Sequence, residues 1–364
     1  MGGFVGMMHG WITMKRHLKT GGYPGFVRGG PVDDELPAFV YHRVAPGTLE
    51  AHLQHLSKNG YRTLDCTEVL SSLDGEKGFS GKEVVLTFDD GLADLVPVVF
   101  PLLVKYRMRA VVFVAPFWIG SAGCITWPDA IGLHRSGRVD FQSHGYGHAR
   151  IPVSPVVDDF FRPGLCRVRP WQLPVPSDAW RGNAQAFWGL PVYRSVSRFA
   201  ERLRYFGPEG LDRECLQYVA DHGGKRFFRL PGWKTRLRAR VRKYFTDRPG
   251  GGRFETAAER ERSIRGDLLR SKQELESRLP GKTVFAFAFP FNESGPTVER
   301  LLAETGFRLA FGGIGDRRPL SGSLSVLRRT SGDFVRRLPG RGRKSMTRLL
   351  IEKTVRRLHA GPGY

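Results

Sequence analysis

Two short runs of side chains carry the groups that a hydrolytic metal site needs. The first is Asp89-Asp90-Gly91. Adjacent side chains at a strand end diverge, so one carboxylate can bind a metal while its neighbour faces a substrate water as a base. Taken alone, the triplet is also the composition of an ordinary turn or helix cap. The second run is His144-Gly145-Tyr146-Gly147-His148. Two histidines four apart converge on one metal if the chain turns in a helix-like way, and neutral imidazole suits zinc and its first-row neighbours. In a chain with ten histidines such a pair is often incidental. Two histidines and one carboxylate together form a facial set that leaves positions open for water and substrate. Water on such a metal has its pKa lowered to roughly 7, which makes hydroxide available near neutrality. A free carboxylate beside it completes the site.

Elements must bring these runs together. Ala38-Phe39-Val40-Tyr41 reads as a buried strand, and Thr48 can cap a helix carrying Leu49, Leu53 and Leu56, ended by Asn59-Gly60. Tyr61 to Leu64 is a short second strand, followed by a helix around Thr67 to Leu73. Glu83 to Phe88 is an apolar strand that runs into Asp89 and Asp90. A helix to about Tyr106 precedes another apolar run, Ala110 to Ala115. Val139 to Ser143 ends at His144, and Thr283 to Phe289 ends at Pro290-Phe291. The β-α rhythm implies a parallel sheet, open or closed into a barrel. Catalytic residues in such folds sit at the carboxyl ends of strands. All three segments therefore fall on one face.

Between about residues 152 and 282 the rhythm breaks into a Pro-, Trp- and Arg-rich stretch that becomes helical. Its clearest start is Thr256 with Glu259, a capping box, continuing through Leu268, Leu269 and Leu275. This reads as a largely helical insertion. Its Trp171, Trp180, Trp188, Trp233 and Tyr193 are mostly core, with Gly189 to Tyr193 the first stretch to test as a sugar platform. Pro296 starts a helix ended by Gly306, and Phe307 to Phe311 supplies a strand. From Pro339 the chain is basic, with Met346, Leu349, Leu350 and Leu358 spaced for a terminal helix.

Thr87-Phe88-Asp89-Asp90-Gly91, followed some fifty residues on by Ser143-His144-Gly145-Tyr146-Gly147-His148, resembles the first two motifs of the polysaccharide deacetylases, which are metal-dependent carbohydrate esterases. Ala288-Phe289-Pro290-Phe291 is similar to the third motif region, in the form found in deacetylases of biofilm poly-N-acetylglucosamine. Tyr41-His42-Arg43-Val44 resembles that branch's opening segment. The resemblance covers about residues 37 to 150 and 283 to 335. It implies an α/β fold, a distorted (β/α) barrel of about seven units with a largely helical insertion. The implied layout is an N-terminal segment to residue 36, a deacetylase domain over 37–335 and a basic tail over 336–364. It implies Asp89 as general base toward metal-bound water, with Asp90, His144 and His148 holding a divalent metal: zinc first, with cobalt, nickel or manganese as alternatives. The backbone N–H of Phe291 would stabilise the oxyanion. Pro290 and Tyr193 are taken as substrate-binding.

The pattern also departs from the family. An Arg usually opens the third motif and orients the base; Ala288 stands there, so something else must hold Asp89, and Arg328 or Arg329 near the last strand are the candidates. The late Leu-x-His motif that supplies the general acid is missing. His42, at the end of the first strand, is proposed in its place, with a histidine bonded to backbone as the competing reading.

The substrate implied is an N-acetylated glycan or glycolipid, with release of acetate. Two further readings stay open: a hydrolase of another amide, and a non-catalytic glycan-binding protein on a deacetylase scaffold. The net charge of +22 favours polyanions or anionic lipid. No nucleic-acid motif accompanies it, and no nucleic-acid partner is expected. Cys66, Cys124, Cys166 and Cys215 form no paired pattern, which fits a reducing compartment. The apolar run from Phe4 to Met14 is too short to span a membrane and precedes its basic residues. A cytoplasmic place is expected, with the basic tail in peripheral contact with anionic membrane.

Overall fold

A computed structural model of the chain describes residues 23–32, 36–75, 79–165, 184–313 and 324–359. The Phe4 to Met14 run, Trp171, Trp180 and Cys166 lie outside the described residues. By contact, the chain divides into a first unit, residues 1–146, 267–292 and 302–364, and a second, residues 147–266 and 293–301.

The first unit is a closed parallel barrel. Its strands are β1 (Ala38–Tyr41), β2 (Arg62–Thr63), β3 (Glu83–Asp89), β4 (Ala110–Val114) and β5 (Val139–Ser143). Three more, β10 (Ala286–Ala288), β11 (Leu309–Gly312) and β12 (Ser325–Ser331), return after the second unit. The order is β1-β12-β11-β10-β5-β4-β3, and β1 pairs with β3 to close a ring of seven; β2 adds onto the start of β3. β3 and β4 are buried along their whole length. That is why they read as continuous apolar runs: a parallel strand covered on both faces has no solvated side to mark.

Strand parity aims the chemistry. Residues two apart share a face, and Val85, Val111, Phe113, Ala286, Ala288, Phe311 and Leu327 belong to one buried cluster. Burying each larger member contributes about 1.5–3 kcal/mol. Asp89 continues the row of Val85 and Thr87, and Arg329 continues that of Leu327. The packing that builds the core therefore points both side chains inward at the carboxyl ends of their strands.

Some local expectations shift. The helix after β1 spans Pro46–Lys58 and begins behind Ala45, with no side-chain cap. Thr48 lies inside its first turn, because Pro46, two residues earlier, presets the helical φ at the first helical position. Thr256 does cap as expected: its Oγ1 accepts the Glu259 N–H at 3.1 Å, and Glu259 accepts the Thr256 N–H at 2.8 Å. Residues 336–344 are packed, not loose. The Arg337 Nε donates to Val27 O at 2.9 Å, Arg343 Nη2 to Phe26 O at 3.0 Å, and the Tyr61 hydroxyl to Pro339 O at 3.0 Å. A terminal helix, Met346–His359, follows; it buries Leu349 and exposes Ile351 and Val355. Among the described residues, no helix is long and apolar enough to cross a membrane.

The second unit pairs β6 (Arg150–Phe160) antiparallel with β7 (Pro191–Ser197), and β8 (Tyr205–Phe206) with β9 (Arg253–Phe254). Helices Glu209–Asp221 and Trp233–Asp247 join β6 around a core of Phe160, Leu211, Cys215, Val219, Phe227 and Leu237. Strands thus accompany the helices of this insertion. Helix Ala257–Arg278 leads from this unit back into the first.

Candidate active site

Asp90, His144 and His148 are all buried, and one ligand atom from each lies within 4.8 Å of the others. Asp90 follows β3 in the left-handed region, at φ 70°. The two histidines stand at the ends of one tight loop that leaves β5, and His148 also has positive φ, at 48°. Side chains other than glycine rarely adopt this conformation, and it gathers where function demands a particular aim. The loop is pinned at its middle. The Tyr146 N–H donates to Asp267 Oδ1 at 2.7 Å, and the Tyr146 carbonyl accepts the Phe117 N–H at 3.1 Å. With both peptide groups of Tyr146 held, the histidines on either side keep a fixed separation.

Hydrogen bonding sets the His144 tautomer. Its Nδ1 lies 2.8 Å from the Ala288 carbonyl oxygen. A carbonyl only accepts, so Nδ1 carries the proton and Nε2 presents its lone pair. Nε2 is 3.8 Å from Asp90 Oδ1 and 3.8 Å from Asp89 Oδ2. Burial pushes the His144 pKa down against the pull of both aspartates, which favours the neutral, ligating form. Two imidazoles and a carboxylate, one imidazole fixed by a backbone carbonyl, suit a first-row divalent cation.

Asp89 is 3% exposed and clamped by Arg329, which is 2% exposed. Arg329 Nη1 donates to Asp89 Oδ1 at 2.6 Å and Nη2 to Oδ2 at 2.9 Å. Nη1 also reaches Thr87 Oγ1 at 3.1 Å, and that hydroxyl donates to Phe39 O at 3.0 Å. Burial alone would raise the Asp89 pKa, but Arg329, His144 and His42 together hold it down at about 2. The carboxylate is therefore ionised and fixed in orientation. Of the two arginines expected to orient Asp89, Arg329 makes the contact.

The other expected residues fall as follows. His42 follows β1 with its Nε2 4.0 Å from Asp89 Oδ2 and its side chain 42% exposed, so it stands at the open side of the base. Phe291, after β10, has φ 61°, and Pro290 beside it is buried. Tyr193 belongs to the second unit, where it is 6% exposed and its ring packs edge-on against Tyr205 at 5.6 Å. A ring enclosed in this way has no face for a sugar, which corrects the substrate-binding reading. Trp188 and Trp233 are half-buried in the same unit's core. The contribution of Asp267 is not visible in its sequence neighbourhood, since its partner lies 121 residues away. Its helix does carry one signal: Ser271, fully buried, interrupts the apolar row of Ile264, Leu268 and Leu275 and bonds Ser143 Oγ at 2.7 Å.

Residues 76–158 match the polysaccharide deacetylase family. YxkH of Bacillus subtilis (strain 168), named for that family, is 32% identical over 125 residues, covering 32% of this chain and 44% of its own length. The poly-beta-1,6-N-acetyl-D-glucosamine N-deacetylase of Escherichia coli (strain K12) is 27% identical over 128 residues, 31% of this chain and 19% of that protein. The matched stretch spans less than half of either relative. Among solved structures, a de-N-acetylase from Aggregatibacter actinomycetemcomitans superposes over 81% of this chain and 94% of its own, at 15% identity and a TM-score of 0.52. The BpsB deacetylase domain from Bordetella bronchiseptica covers 81% and 95%, at 17% identity and 0.51. Both share the barrel fold. Residues 76–158, which hold both motifs, are thus similar to the polysaccharide deacetylases, and the barrel whose mouth carries the site has the fold of the solved deacetylases.

Proposed function

We propose that this protein hydrolyses the N-acetyl group of an amino sugar within an oligosaccharide, polysaccharide or glycolipid. The observation that carries the reading is the ionised, clamped Asp89 beside the buried Asp90, His144 and His148 set. A divalent cation held by those three residues, zinc first, would polarise the acetamide carbonyl and acidify water. Asp89 takes the proton of the attacking water on its carboxylate. Arg329 keeps that carboxylate ionised and aimed, and the Phe291 N–H donates to the oxyanion. His42 delivers a proton to the departing nitrogen as the C–N bond breaks, so the products are acetate and a free amino sugar. The name of the Escherichia coli relative supports an N-acetylglucosamine polymer as the substrate class.

Acetate release from N-acetylglucosamine oligomers tests this, using zinc- or cobalt-loaded protein beside a chelated sample. Asp89→Asn should abolish release, and His42→Ala should cut turnover far more than metal content. Release that survives chelation and Asp89→Asn would defeat the reading. Tight metal without release would favour another amide, and neither metal nor release would favour a glycan-binding scaffold.

The proposed location is cytoplasmic, with helix Met346–His359 against anionic lipid. The exposed Ile351 and Val355 beside Arg348 support the lipid contact. Equal flotation of the chain with and without residues 346–364 on anionic vesicles would rule it out.

A further inference from the structure

The positive charge of this chain is segregated. Helix Ala257–Arg278 carries six basic and five acidic residues. Helix Trp233–Asp247 carries Lys234, Arg236, Arg238, Arg240, Arg242 and Lys243 against Asp247 alone. A general preference for arginine would load both helices alike, so composition does not account for the second. Its buried stripe is narrow, with only Leu237 and Tyr244 fully covered. Of the cations around it, Arg238 and Arg242, four residues apart, share one exposed side of the helix.

Some of these charges are matched locally. Lys234 meets Asp159 at 2.7 Å, Lys243 meets Asp247 at 2.8 Å, and Arg240 lies 4.4 Å over the Tyr218 ring. Arg236, Arg238 and Arg242 are exposed and, among the described residues, have no carboxylate in salt-bridge reach. The short helix that leads in, Gly224–Arg229, adds Lys225, Arg226 and Arg229 in the same condition. Between the two helices Leu230 is 38% exposed.

We propose that this face of the second unit docks on a membrane surface bearing anionic lipid headgroups. Guanidinium groups bind phosphate through paired hydrogen bonds. Each cation brought to an anionic leaflet raises the partition constant about fivefold. The apolar element at the patch is what favours lipid over an anionic polymer. Leu230 is aliphatic; it suits the boundary between headgroups and acyl chains but cannot stack on a base or sugar. The nearby rings are engaged with each other, Phe228 packing edge-on to Trp233 at 5.2 Å and to Phe227 at 5.4 Å. The proposal is independent of the catalytic reading, since none of these residues belongs to the barrel site.

Flotation of the full chain on phosphatidylcholine vesicles, with and without phosphatidylglycerol, tests it. The protein should float with the anionic vesicles alone, and less as salt rises. The triple variant Arg236→Gln, Arg238→Gln, Arg242→Gln should lose about twenty-five-fold in partition, about fivefold for each of Arg238 and Arg242, and Leu230→Ser should also weaken it. Removing three exposed arginines elsewhere, Arg262, Arg278 and Arg308, should leave flotation unchanged. Unaltered circular dichroism and melting would show that the variants fold. The proposal is overturned by equal flotation of wild type and triple variant, by equal loss in the control, or by failure to float. Capture of an anionic polysaccharide or nucleic acid without vesicle binding overturns it as well. An Ile351→Asp change in the terminal helix, run in parallel, should leave the triple-variant difference intact.

Discussion

At Asp89 two large effects oppose each other. Burial raises the pKa of a carboxyl group, while the Arg329 fork, with His144 and His42, lowers it to about 2 from an ordinary 3.8. A folded pKa below the unfolded one contributes stability that is present above about pH 4 and lost as pH falls toward 2. Arg329→Gln removes the counter-charge and leaves burial to dominate. We expect the Asp89 pKa to rise, the acid limb of kcat/KM to move to higher pH, and stability to fall by about 3–5 kcal/mol. Bound metal should stay near one per chain, because Arg329 touches none of the three ligands. Arg329→Lys restores charge without the fork and should recover the pH profile better than kcat. An acid limb that does not move would sink the clamp. Asp89, Asp90, His144 and His148 were legible because each pair of groups is local in sequence. Arg329 could only be narrowed to one of two neighbours, since strand parity decides between them. Tyr193 was misread because an aromatic side chain in a Pro- and Gly-rich stretch looks the same from sequence whether buried or exposed.

The barrel strands announced themselves by apolar runs ending in chemistry. β6 did not, because Pro152, Pro155 and the pair Asp158-Asp159 break any alternation, and its pairing with β7 shifts register between Pro152 and Val157. The turn after β3 is a constrained joint. Gly91 has φ +64°, and a Cβ there would lie 2.9 Å from Val114 Cγ1 on the adjacent strand. Gly91→Ala therefore meets both backbone strain and a branched side chain with little room to retreat. We expect it to cost about 1–3 kcal/mol and to displace Asp90, so that melting temperature and affinity for an added divalent metal fall together. A variant that melts normally and binds the metal as wild type does would show that the joint tolerates a side chain. Ala288 gives the complementary lesson. The arginine expected at its position is missing, yet its carbonyl fixes the His144 tautomer, a service that any residue type can perform and no motif can advertise.

Across the whole chain, a charge of +22 became informative only once helices could be compared with one another. The ring of strands adds a second property that composition cannot express. β1 is hydrogen-bonded both to β3 and to β12, and the Arg329–Asp89 clamp joins residues 240 positions apart. Such long-range closure is slow, and domains emerge from the ribosome amino end first. Until Ser325 and its successors have left the exit tunnel, the seam of the ring stays open and Asp89 lacks its guanidinium. A nascent chain halted before that point would hold every metal ligand and the base, yet not the cation that permits the base to be buried. The Arg329–Asp89 clamp is thus the part of the candidate site that forms last, once β12 has joined the ring.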